Sequence, residues 1–314
     1  MNEKFVSRKE KEPSILDSVE NQILLFKKLE SVYENRAEDL SSFEGSMSGT
    51  KYANDYSKES IAKDKLYVKN IREKIDEENS SDGKENLDHL DGGFQLSEIL
   101  QAMVVDRLNK HWFKDFKSIM TSDYDDLAVG IDAIMKHEKG GYFGVALDFT
   151  ITSQDKIISK KLQENWEKNV VGGNIPTVKY FKDPDTKIKE RLIVPKFIIG
   201  ASKKDVEELA VAYLTDNEEV LDNHPLKYVI LLQIEEQLQT VLDYYETNKE
   251  NPKLHFAKTQ YEKIQTLLRN MKNEIRTDEK MHENIDLYEY TKSSKSLDSM
   301  RRFRIMRDQD SKKI

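Results

Sequence analysis

Val129-Gly-Ile-Asp-Ala-Ile-Met135, Lys136-His-Glu-Lys-Gly-Gly141 and Phe143-Gly-Val-Ala-Leu-Asp-Phe-Thr-Ile151 make two apolar runs around a glycine-bearing turn. They read as two β-strands, at 128–137 and 142–151. Each carries one aspartate, Asp132 and Asp148. A carboxylate inside an apolar strand is costly to bury unless it is paired or holds a metal ion. Side chains alternate along a strand, so Asp148 and Thr150 share a face with Gly144 and Ala146. Val145, Leu147, Phe149 and Ile151 fill the other face. The loop length decides whether the two acids meet. A two-residue Gly140-Gly141 turn sets Asp132 opposite Phe149 and sends the aspartates to opposite faces. A three-residue Lys139-Gly140-Gly141 loop sets Asp132 opposite Asp148, with Cβ atoms about 5 Å apart. Two ionised carboxylates that close repel each other, and a hard cation such as Mg²⁺ relieves the repulsion through oxygen ligands.

Outward from this hairpin the pattern is helical. Phe94 to about Ile119 carries Leu96, Ile99, Leu100, Met103, Val104 and Leu108 at helical spacing. Ser122-Asp-Tyr-Asp-Asp126 reads as a turn, with Asp125 and Asp126 as turn or cap residues. After the hairpin, Gln154 to Val170 is a helix closed by Gly172-Gly173. Thr177–Lys182 is a strand. Leu192–Gly200 is another, whose first half Pro195 pushes to an edge or bulge. A helix at Lys203–Leu214 follows. The result is a mixed α/β module of about 120 residues.

Both flanks read as helical extensions. Residues 1–13 look like a frayed tail and Ser14 to about Arg36 is an amphipathic helix. Residues 41–60 read as a loop, 60–77 as a weaker helix, and the Asn-Ser-Ser-Asp-Gly and Asp-Gly-Gly breakers of 77–93 as a boundary. Beyond Pro225, residues 226–247 and 254–276 form a helical hairpin. Residues 292–313 hold eight Lys/Arg against three Asp. The division expected is a 1–92 helical arm, a 93–215 α/β core, a 216–290 helical hairpin and a 291–314 basic tail.

Charged residues make up 34% of the 314 and the net charge is −8. That argues against a generally basic nucleic-acid surface but not a local one. The absence of cysteine excludes disulfides, thiolate zinc sites and cysteine nucleophiles. No run approaches the roughly 18 apolar residues of a membrane span, and the N-terminus leads into no apolar signal core, so a cytoplasmic protein is expected. The six histidines show no HxxxH or comparable metal spacing. The glycine pairs sit in no phosphate-binding pattern.

The arrangement resembles the PD-(D/E)XK nuclease superfamily, over about residues 93–200. Gly130-Ile-Asp132 looks like its first metal-ligand motif. Asp148-Phe-Thr150 stands where Asp/Glu-x-Lys belongs. Glu98 matches the helical glutamate that often precedes the hairpin, with Asp106 as second choice. The resemblance implies a restriction-endonuclease-like core and Mg²⁺-assisted hydrolysis of nucleic-acid phosphodiesters, with Asp132, Asp148 and Glu98 as metal ligands. One departure is Thr150, which cannot supply the positive charge of the usual lysine. Some members draw that lysine from the next helix, and Lys161 lies where it can do so; Lys160 points further away. Without such a lysine the module binds metal or nucleic acid without cleaving. The rival reading is a non-enzymatic scaffold whose C-terminal helices bind a protein partner or a second copy. The basic tail, with Phe303 among Arg301, Arg302, Arg304 and Arg307, touches a phosphate backbone, docks on the acidic body as a helix, or stays in solvent.

Overall fold

The computed structural model describes residues 14–34, 56–81, 96–113, 115–137, 144–151, 155–182, 189–276 and 294–311. In chain order the helices are α1 (Val19–Lys28), α2 (Glu30–Glu34), α3 (Lys58–Ser81), α4 (Leu96–Arg107), α5 (Asp123–Val129), α6 (Asp155–Asn165), α7 (Lys203–Leu214), α8 (Glu218–Asn223), α9 (Leu226–Thr247), α10 (His255–Arg276) and α11 (Lys295–Ser311). The strands are β1 (Phe116–Met120), β2 (Ala133–His137), β3 (Gly144–Ile151), β4 (Thr177–Lys182), β5 (Lys189–Ile193) and β6 (Lys196–Ala201). The chain is a mixed α/β protein. Its main sheet has the order β1-β2-β3-β6, with β1, β2 and β3 antiparallel in sequence and β6 parallel to β3. β4 and β5 form a separate two-stranded sheet.

The alternation in β3 sorts the packing. Val145, Leu147, Phe149 and Ile151 join the large core shared with α4, α6, α7, α9 and α10. Ala146 joins a smaller cluster on the other face, with Ile134, Val178, Phe181, Leu192 and Val194. The large core runs from Leu16 to Phe303, so helices from both ends of the chain pack into it.

Three local readings differ from the structure. The helix expected up to Ile119 stops at Arg107, continues as one π-turn over Leu108–Trp112, and gives way to β1. Asp115 stands between them at φ +62°, a left-handed conformation that ends a helix. The strand expected at 128–137 begins only at Ala133. Residues 123–129 are instead α5, capped by the Ser122 side chain on the Asp125 N–H and closed by Gly130 at φ +67°. Leu192–Gly200 is split at Val194-Pro195: its first half pairs with β4 and its second enters the main sheet. The basic tail, as α11, packs on α9 and α6. Arg301 and Arg304 reach Glu236, and Arg304 also reaches Asp243.

The free edges of the main sheet are met by side-chain amides. At β1, Asn109 accepts from the Ser118 N–H (2.6 Å) and donates to its carbonyl (2.9 Å). At β6, Gln237 of α9 bonds the Ile198 N–H and carbonyl, both at 2.9 Å, and Gln233 bonds those of Gly200, both at 2.8 Å. Each amide thus stands in for a neighbouring strand. Gln237→Leu would leave a buried donor and acceptor unpaired, at about 1–3 kcal/mol each. We expect urea unfolding to report a loss of about 2–6 kcal/mol for this variant.

A paired-aspartate site with two lysines

Loop residues 139–141 lie outside the described residues, but the register on either side is settled. Ala133 faces Leu147 and Ile134 faces Ala146, and the paired register ends at Ala133, one residue after Asp132. Within the described residues this pairing is the one expected of a three-residue loop. Asp132 sits just before β2, where its N–H donates to the Leu147 carbonyl (2.9 Å). Its side chain then takes the next rung, Oδ2 accepting from the Phe149 N–H at 2.6 Å. The Asp132 carbonyl is held by the Thr121 N–H (2.9 Å) and by the Gln101 side chain of α4 (2.6 Å). Backbone and side chain of Asp132 are therefore both fixed.

Asp148 is buried and has two ammonium partners. Lys161 of α6 lies 2.6 Å from Oδ1 and Lys196 of β6 lies 2.8 Å from Oδ2. Lys161 also donates to the Phe149 carbonyl (3.2 Å). Lys196 also donates to the Val129 carbonyl (3.1 Å). Thr150, on the same face of β3, is buried too. Burial works against the charge on Lys161, but Asp148 and Asp132 beside it outweigh burial and raise its proton affinity above the ordinary lysine value.

Asp132 moves in the opposite sense from a typical paired acid. Desolvation, then the nearby charges of Asp126 and Asp148, hold its proton affinity well above the ordinary carboxylate value, with Lys161 opposing. The folded state therefore binds this proton more tightly than the unfolded chain. That contribution to stability is present at low pH and is lost as pH rises from the unfolded pKa through the folded one. We expect Asp132→Asn, which keeps the acceptor for Phe149, to melt a few degrees higher than the wild type at neutral pH. The advantage should disappear near pH 4, where the wild-type acid is protonated. Equal pH profiles for the two proteins would contradict this account.

The other expected site residues fall as follows. Glu98 is half-buried in the first turn of α4, three residues before Gln101 and so on the same side of the helix. The contact from α4 to Asp132 is made by Gln101. Asp106 is committed elsewhere, to Arg107, Lys110 and Tyr213. Lys160 is exposed and pairs with Glu164. Asp125 lies inside the first turn of α5, its N–H taken by the Ser122 cap, and its carboxylate accepts the Lys179 and Tyr180 N–H groups (2.7 and 3.0 Å), pinning β4 beside α5. Lys196 and Gln101 were not singled out in the sequence.

Among the described residues, the only trio with ligand atoms all within 4.8 Å of one another is His111, Glu218 and Asp222. Sequence spacing could not reveal it, because more than 100 residues separate His111 from the two acids. Arg107, fully buried, already lies 2.7 Å from Glu218 and 3.4 Å from Asp222, so the acids are compensated by a guanidinium. No helix among the described residues is long and apolar enough to cross a membrane. No family model, curated protein or solved structure matches the chain.

Proposed function

We propose that the chain is a metal-dependent nuclease of PD-(D/E)XK type, acting on nucleic-acid phosphodiesters. The observation that carries the reading is the Lys161 ammonium, 2.6 Å from Asp148 Oδ1 and thirteen residues after it. It brings a positive charge from the following helix to the place where Thr150 offers none. The topology supports the same reading: a helix (α4), three antiparallel strands (β1 to β3), a helix (α6) and a strand (β6) parallel to β3.

The residues fit a hard divalent cation. Asp148 on β3 and Asp132 just before β2 offer oxygen donors, and the charges of Asp126 and Asp148 bear on Asp132. Asp132 and Asp148 would hold the ion, with Glu98 as the expected helical ligand. The ion would supply Lewis-acid polarisation of a phosphate and an activated water. The protein's own part is positioning and charge. The Phe149 N–H and Gln101 fix Asp132. Lys161, partly exposed at the edge of the site and paired with Asp148, would present its ammonium to a phosphate oxygen.

One observation favours a degenerate relative that binds without cutting. Asp148 already has both oxygens compensated by ammonium groups, so its charge is satisfied by the protein alone. The deciding experiment incubates the full chain with single- and double-stranded DNA and RNA in Mg²⁺ or Mn²⁺, beside Asp148→Ala. Cleavage by the wild type and not by the variant supports the nuclease. Cation binding without cleavage assigns the degenerate form. Neither binding nor cleavage leaves the scaffold reading, in which the helices meet a protein partner.

A further inference from the structure

The two lysines on Asp148 occupy different surroundings. Lys196 stands beside Ala146 in the β3–β6 register, on the face that Asp148 shares two residues later. Its side chain is 10% exposed. Its ammonium is wedged against the turn that closes α5: it donates to the Val129 carbonyl, and a Cβ built on Gly130 would come within 2.8 Å of Nζ and 3.3 Å of Asp148 Oδ2. Gly130 therefore serves twice, once for its positive φ and once for the space that Lys196 occupies. Lys161 arrives from a helix at the rim, with its side chain 35% exposed.

We propose that the lysines divide the carboxylate between them. Lys196 is a positioning residue that fixes Oδ2, and Lys161 is the partner that yields Oδ1 to a cation and turns to the substrate phosphate. This rests on the metal-dependent reading above. The physical reason is the difference in access to water. An ammonium that leaves a carboxylate must be solvated elsewhere, and only the rim lysine reaches water by a small rotation. A cation approaching Asp148 thus displaces Lys161 more readily than Lys196. The freed Lys161 would then have its charge available for a substrate phosphate. Gly130 and Val129 keep Lys196 in place throughout, so Asp148 does not swing when its other oxygen changes partner.

The test is a titration of the full chain with MnCl₂ alone, read by thermal shift and calorimetry, for wild type, Lys161→Met, Lys196→Met and Gly130→Ala. Removing the displaceable competitor should lower the Mn²⁺ midpoint of Lys161→Met by about tenfold, and removing the positioning residue should raise that of Lys196→Met by about tenfold. Gly130→Ala, which keeps both lysines but crowds Nζ, should move in the same direction as Lys196→Met. Opposite signs for the two lysine variants support the proposal. A shift of the same sign in both, or none in Lys196→Met, overturns it, because the lysines would then be interchangeable counter-ions or mere packing. Should Lys196→Met not fold, Lys161→Met decides: an unchanged or higher midpoint overturns the proposal. A wild type that Mn²⁺ does not bind sinks this inference and the metal reading together. Mn²⁺ binding with the opposite signs but no cleavage sinks only the nuclease activity.

Discussion

On the proposed nuclease reading, Asp148→Ala is expected to lower Mg²⁺-dependent cleavage by about 10³-fold or more, because it would remove a proposed ligand of the ion that carries charge development at the phosphate. The same change leaves two ammonium groups facing each other with no carboxylate between them. One of them, Lys196, is almost fully enclosed. Stripping one partner from a buried pair costs roughly 3–5 kcal/mol, so the variant should also melt lower. Asp148→Asn separates the two effects. It keeps the shape of the side chain and a hydrogen-bond acceptor, and should lose the activity with a smaller fall in melting temperature. Rates measured well below both melting points decide the matter. Activity that survives in either variant would remove Asp148 from the chemistry.

Arg107→Met should produce a large loss of stability with no direct bearing on the aspartate pair. The guanidinium is 0% exposed. It donates to Asp106 (2.7 and 3.1 Å), to the Tyr213 hydroxyl (2.9 Å) and to Glu218 (2.7 Å), and lies 5.1 Å from the Tyr213 ring centroid. Tyr213 in turn donates to Asp106 at 2.6 Å. These contacts join α4 to α7 and α8. Without the guanidinium, buried Asp106 keeps only Tyr213 and the half-exposed Lys110. About 3–5 kcal/mol should be lost in a denaturant titration, from a total that for a typical domain is only about 5–15 kcal/mol. A loss under about 1 kcal/mol would mean that the network is no better than a hydrophobic replacement.

How much of this was legible depended on distance along the chain. The two faces of β3 could be read from period-two alternation, whereas the placing of Asp132 relative to Asp148 hung on a choice between two loop lengths that the sequence left open. Helix α7 was read at its observed bounds, Lys203–Leu214, and the structure shows Ser202 and Asp205 forming a reciprocal cap at its start. The short α5 carried a similar signal, Ser122 three residues before Asp125, but Val129-Gly-Ile looked like the opening of a strand. β1 was hidden because Phe116-Lys-Ser-Ile-Met continues the apolar content of α4, and the left-handed Asp115 that separates them leaves no mark in composition. Lys161 was legible because it lies on the next element. Lys196, Gln101 and the Arg107 network were not, since each joins residues that only the tertiary fold brings together.

The glutamines that close β6 have a consequence in time. β6 ends at Ala201 and Gln237 follows 36 residues later, so the parallel strand is synthesised before the groups that cover its outer edge. At roughly 5–20 residues per second, that interval is about 2–7 s. During it, Ile198 and Gly200 present bare main-chain donors and acceptors to any extended peptide nearby. A nascent chain interrupted between β6 and α9 is therefore the form of this protein most exposed to strand-to-strand aggregation. A stalled-ribosome series with arrest points on either side of Gln237 should show that hazard end as α9 emerges.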